Sequence, residues 1–216
     1  HDGTKCFVRD VAQNLEQVHP VVMGVRGGAQ LPGAEVAPVY SDSGAYAPAL
    51  EENVRAALYL TTGPGAALWH FVFAPNPRSS RVGRALRTLR RASVVQTIAS
   101  PPRDFSDAER LLFGDIVVAQ SRATRSRILE HAPTREVEVI PPPVGPIAPR
   151  SIEARRAIRE RLVLRDDSVV LLYPGDIELS RGAENIAALV EPLASEIPNL
   201  VVVFAYRAKT ERAHAV

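Results

Sequence analysis

A single cysteine, Cys6, stands in a chain of 216 residues. One thiol cannot build an internal disulfide framework, so a reducing, cytoplasmic setting is the expectation. No apolar run approaches the roughly 20 residues that a membrane span needs. The first residues, His1-Asp2-Gly3-Thr4-Lys5, lack the charged-then-apolar order of a signal peptide. Aromatic residues make up only 6% of the chain and the net charge is +2, which argues against a nucleic-acid binder. The histidines are scattered, which gives no metal-ligand spacing. Neither a Gly-x-Ser-x-Gly nor a phosphate-loop sequence occurs, so the hydrolase and P-loop readings fall away.

What is present is regular alternation. Apolar residues at helical spacing (Val8, Val11, Leu15, Val18) predict a helix over 8–18, followed by a strand at 20–25. Residues 26–47 read mainly as loop, with 35–40 a short strand. A helix is expected at 48–59, with Pro48 in its first turn. Strands at 66–73, 93–98, 115–119 and 136–140 alternate with helices at 79–91, near 106–114, and from Ser121 to 130. Ser106 and Glu109 have the spacing of a capping box, and Ser121 is a good N-cap. This order predicts a parallel sheet with helices on both faces.

The proline-dense stretch at 141–149 cannot continue a helix or sit inside a sheet, and reads as a semi-rigid spacer. We therefore place one domain at 1–148 and a second beginning at 149 and running to 216. The second opens with a basic helix, a strand at 168–173, a Gly-containing loop, a helix and a strand at 200–204. Two strands and two helices are too few to close a core of ordinary size.

Three places carry possible chemistry. The loop from Pro174 to Gly182 lies at the carboxyl end of a parallel strand, where open α/β sheets bind ligands. Gly175 there permits a sharp turn and close approach, and Arg181 just before a helix N-terminus suits a diphosphate. A plain βα loop would look similar. The helix at 79–91 carries Arg81, Arg84, Arg87, Arg90 and Arg91 opposite Val82, Ala85, Leu86 and Leu89. That is either an ordinary solvated face or a contact surface for an anionic membrane. His70 sits in a strand, as a structural histidine or as a weak candidate for contact with a sugar or phosphate.

Taken together, several segments resemble the family-4 retaining glycosyltransferases of GT-B fold. Asp115-Ile116-Val117-Val118-Ala119-Gln120-Ser121 followed by Val137-Glu138-Val139-Ile140-Pro141 is similar to that family's stretch closing the acceptor domain. Gly175 to Gly182 resembles its diphosphate-gripping "G-R-L-x-x-x-K-G" loop, and residues 155–164 its "R-x-x-L-G-L" helix. Asp2-Gly3-Thr4 resembles the Gly-rich loop after the family's first strand. Residues 93–102 resemble "P-V-V-x-T-x-H-x-x-P". In this chain the loop arginine is replaced by Asp176, the histidine by Ala99, and the Asn-Gly of the linker motif by Pro142-Pro143.

The resemblance implies an α/β fold of GT-B type. An incomplete N-terminal Rossmann-like domain, its first strand missing, would precede the first βαβ part of a second Rossmann-like domain. It implies transfer of a hexosyl-type sugar, with retention, from a nucleotide diphosphate sugar to a glycan, a lipid-linked or a small-molecule acceptor. Gly175, Arg181 and Gly182 would hold the donor diphosphate, and Gly3, Ser121, Asp176 and Glu178 would line the site. Neither a metal nor a further cofactor is expected. The family's paired glutamates would lie past Val216, so the 216 residues alone are expected to be inactive. A GT-B nucleotide-sugar epimerase and a non-catalytic glycan- or partner-binding relative remain open.

Overall fold

The computed structural model of the chain describes residues 3–28, 30–41, 48–102, 104–143, 149, 151–177 and 182–206. The chain divides into two compact units, His1–Gly145 and Pro146–Val216. The first unit runs α1 (Gly3–Gln13), β1 (Val21–Val25), β2 (Glu35–Tyr40), α2 (Leu50–Thr62), β3 (Leu68–Phe73), α3 (Pro77–Arg90), β4 (Ser93–Ile98), α4 (Ala108–Leu111), β5 (Ile116–Ala119), α5 (Arg122–His131) and β6 (Val137–Val139). The second has α6 (Ile152–Arg161), β7 (Val169–Pro174), α7 (Ala183–Glu196) and β8 (Leu200–Ala205). All strand pairs are parallel, so the α/β class expected from the alternation is the one observed. No helix among the described residues is long and apolar enough to cross a membrane.

Strand order is what the sequence does not reveal. β3-β4-β5-β6 form one sheet and β1-β2 another, while β7-β8 form the pair of the second unit. On the four-stranded sheet, Trp69, Val94 and Phe113 make one buried cluster against Leu86. Ile98, Val117, Ala119 and Val137 make another with Phe105, Leu112, Ile128 and Ala132. α3, the α4 region and α5 thus cover the same face of this sheet. Of the hydrophobic side chains described in the second unit, only Ile177 and Ala183 are fully buried, as expected of so small a layer.

Several local expectations are corrected. α1 begins at Gly3 and ends at Gln13, burying Phe7 and Ala12, while Leu15 and Val18 are exposed beyond it. Asn14 closes it, its side-chain amide donating to the Asp10 carbonyl at 2.7 Å. Pro48 precedes α2 instead of lying in its first turn. The buried Glu52 carboxylate caps that helix by accepting from the Ala49 amide and from the amide of Ser41. Ser106 does not cap α4. Its amide donates to Asp104 at 2.9 Å, and Asp107 takes the cap position of a four-residue helix.

The largest correction concerns α3. Its inward residues are Ser80 and Gly83, with Leu86 and Arg87 half-buried, whereas Val82 and Leu89 point to solvent. The cause is Phe113: a Cβ on Gly83 would lie 2.4 Å from its ring, so only glycine admits the ring there. The chain around Phe113, residues 111–114, is buried without forming a strand or a full helix, so its backbone polar groups need side-chain partners. Gln96 donates to the Leu111 carbonyl at 3.1 Å and accepts from the amides of Phe113 (2.8 Å) and Gly114 (3.2 Å). Ser80 donates to the Leu111 carbonyl at 2.8 Å. Arg84 donates to the carbonyls of Glu109, Arg110 and Leu112, and Arg87 to that of Phe113 while pairing with Asp115. Arg90 reaches the Thr61 carbonyl at the end of α2. In the second unit Arg159 binds the carbonyls of Arg165, Asp166 and Ser168 in the same manner.

Gln96→Leu keeps the shape of the side chain and strips two buried amides and a carbonyl of a partner. It should lower unfolding free energy by about 2–4 kcal/mol, read from urea titration by circular dichroism. Val163, just after α6, lies in the left-handed region (φ 54) where a β-branched residue is strained. Val163→Gly should raise stability by about 1 kcal/mol, in the same assay.

Candidate functional site

The loop after β7 grows directly out of the strand ladder. The Gly175 amide donates to the Ala205 carbonyl at 3.0 Å, continuing the β7–β8 pairing one residue beyond the strand. Tyr173 donates from its hydroxyl to the Asp176 carbonyl at 3.3 Å and packs its ring on Phe204. Ile177 is buried, which ties the first half of the loop to the protein. The chain bends at Gly175, as expected, but does so without a positive φ. A Cβ on it would meet only the Tyr173 ring, at the ordinary distance of 3.6 Å. The fold itself therefore does not demand glycine at 175.

Gly182 is different. It is the N-cap of α7, in the left-handed conformation (φ 75, ψ 17), and no side chain caps the helix. Its carbonyl accepts the first helical bond, from the Ile186 amide at 3.1 Å. A Ser, Thr or Asp at this position would place its own oxygen over the first-turn amides; glycine has none to place. Ala183 is buried behind it, fixing the helix end in place. Glu184 lies in the first turn, in a position favourable to the helix dipole. Arg181 and Glu178 fall outside the described residues. Gly175, Asp176 and Gly182 are thus brought onto one βα loop at the carboxyl end of β7, as the sequence places them.

The remaining candidates belong to the first unit and serve its architecture. Gly3 is the first residue of α1 and exposed, with nothing near a would-be Cβ. Ser121 follows β5 and caps α5, accepting from the Thr124 amide at 3.1 Å. His70 lies in the middle of β3, three residues short of its carboxyl end, with Nε2 and the Thr97 hydroxyl 2.8 Å apart. Partial desolvation of the ring, in a residue that stays exposed overall, holds its pKa below the usual 6.5, so the ring is neutral at neutral pH. The contact with Thr97 bridges two neighbouring strands. An open groove of about 430 Å³ lies along α5 and β6, lined by Arg122, Arg125, Ser126, Val137, Glu138 and Val139. Arg125 donates across it to the Val137 carbonyl. The sequence reading missed the buried polar set of Ser80, Gln96 and Glu52; only Gln96, inside the apolar run Val94-Val95-Gln96-Thr97-Ile98, carried a signal that could have found it.

Because the folded state holds His70 neutral below pH 6.5, the unfolded chain binds the extra proton there. Stability should fall as the pH drops from 6.5 toward the lower folded pKa, and should be flat in this respect above 6.5. His70→Gln keeps a partner for Thr97 and should remove that increment between pH 7 and 5.5. An unchanged pH slope in the variant would assign the effect elsewhere.

Comparison with known proteins places this geometry. No protein-family model matches the chain. It is 29% identical over 132 residues to a D-inositol 3-phosphate glycosyltransferase of Xylanimonas cellulosilytica, covering 54% of this chain and 32% of the relative. The crystal structure of Anabaena HepE in complex with UDP-glucose superposes with a TM-score of 0.66 at 15% identity, covering all of this chain and 60% of that one. The chain therefore spans about a third of the curated relative and three-fifths of HepE. The likeness to HepE shows the fold, α/β with Rossmann-like parallel sheets, and the sequence similarity is to a glycosyltransferase.

Proposed function

We propose that the protein to which this chain belongs is a glycosyltransferase that binds a nucleotide diphosphate sugar at the loop between β7 and α7. The observation that carries this reading is the place of the α7 N-terminus. Gly182, in the left-handed conformation, starts that helix at the carboxyl end of a parallel strand, where an open α/β sheet receives an anion. Gly175, which the fold itself does not require, leaves room for the donor to approach the backbone.

In this reading the donor diphosphate lies across the amides of α7, and Arg181 supplies the charge that the helix alone cannot. As the bond from sugar to phosphate breaks, negative charge grows on the leaving diphosphate. Fixed donors aimed at that charge lower the barrier without a metal ion or further cofactor. Asp176, repelled by phosphate, serves a ribose or sugar hydroxyl. Glu178 on this loop, and Gly3 and Ser121 in the first unit, are the remaining candidate residues. The first unit receives the acceptor, which is a glycan, a lipid-linked or a small molecule. Transfer proceeds with retention, as the resemblance of the loop to family-4 enzymes implies, and the sugar is of hexosyl type. UDP-glucose in HepE is a donor of the chemistry this loop suits. The setting is cytoplasmic, in keeping with the single thiol. The 216 residues alone are expected to be inactive in transfer.

Calorimetric titration of the full-length protein with UDP and GDP tests the reading. One of the two should bind, and Arg181→Ala should weaken it by roughly 10- to 100-fold, the worth of a charged hydrogen bond. The absence of heat with both nucleotides would discard it in favour of a non-catalytic binding module. Product analysis with donor alone separates transfer from epimerisation, because only an epimerase converts the sugar without an acceptor.

A further inference from the structure

Taking about 100° per residue, the inward direction of α3 is set by Ser80, Gly83 and Arg87. The opposite arc then holds Arg78, Arg81, Val82, Ala85 and Leu89. All five are exposed, Val82 to 52% and Leu89 to 70%. This helix therefore carries two separate sets of arginines. Arg84, Arg87 and Arg90 bind carbonyls of the chain itself, as described above. Arg78 and Arg81 flank an apolar patch that faces water, Arg81 also donating from Nε to the Pro77 carbonyl of its own helix at 3.4 Å while staying exposed.

We propose that this outward face is a docking surface for an anionic lipid bilayer. Charge complementarity selects that occupant. The 14 residues of α3 include no acid. The acids nearest to its inner side are already paired, Asp115 with Arg87 and Glu109 with Arg135. A helix lying flat on a bilayer buries a short apolar strip among the acyl chains, and its arginines extend sideways to the phosphates. Val82, Ala85 and Leu89 form such a strip, with Arg78 and Arg81 near its first turns and Arg91 just past its end. The apolar residues of α2, Leu50, Val54 and Leu58, are also exposed, but Glu51 stands beside them, and they are not part of the surface. The arginines assigned to lipid therefore differ from the set read off the sequence: Arg78 joins, and Arg84, Arg87 and Arg90 leave. The proposal does not depend on sugar transfer.

Sedimentation of the 216-residue chain with vesicles tests it, comparing mixed phosphatidylglycerol and phosphatidylcholine with phosphatidylcholine alone. Binding should be at least about tenfold stronger to the anionic vesicles and should fall with added salt. Each arginine near such a surface is worth about fivefold. Arg78→Glu with Arg81→Glu should therefore lower the partition at least about 20-fold, and Leu89→Asp should lower it independently. Arg122→Gln on α5 removes a charge elsewhere and should leave binding unchanged. Circular dichroism melts check that the variants stay folded, as substitutions at exposed positions should. Equal binding to both vesicle types, no binding, or variants that partition like the parent would overturn the proposal. So would self-association of the chain in solution that Leu89→Asp abolishes, which would make the face a contact between copies.

Discussion

A buried peptide without regular secondary structure must find partners for every amide and carbonyl it takes out of water. Residues 111–114 impose that requirement on the first unit, and much of its architecture answers it. Gln96 from β4 and Ser80, Arg84 and Arg87 from α3 supply the partners, while Gly83 gives Phe113 its place. The rotation of α3 about its own axis follows from this. With Ser80 and Arg87 required inside, Val82 and Leu89 are left outside. Arg90 extends the arrangement to the end of α2, so one helix fastens the ends of two neighbours.

The alternation of helix and strand was legible because doubly covered strands are short and apolar, and because Pro and Gly punctuate them. Most element positions followed from that. Strand order was not legible, since parallel pairing is set by crossovers that leave no local mark. The orientation of α3 was misread for a physical reason. Helical periodicity assumes that apolar residues face the core, and here much of the inward side is polar because it faces backbone carbonyls beside the Phe113 ring. α1 ends early where the Asn14 side chain binds the Asp10 carbonyl, and α4 starts late because Asp104 engages Ser106, which the spacing had suggested as a cap.

At the candidate site, the glycines of the loop after β7 were visible in sequence, but their roles were not. Gly175 was read as the turn glycine, yet it is Gly182 that has a positive φ, while Gly175 bends without one and its amide still continues the ladder. His70 was read first as a structural histidine and only weakly as a contact for sugar or phosphate. Its ring meets the Thr97 hydroxyl of the neighbouring strand, three residues from the strand end. Ser121 was read both as a helix cap and as a cleft residue, and the cap is the role its hydrogen bonds display.

Trp69, the one tryptophan of the chain, is buried in the cluster with Val94 and Phe113 in the first unit. Emission excited at the red edge of the indole band therefore reports on that unit alone, whereas far-ultraviolet ellipticity counts helices from both. The two signals need not melt together. Any separation between their midpoints measures how far the smaller unit loses its structure on its own schedule, with no label added to the protein.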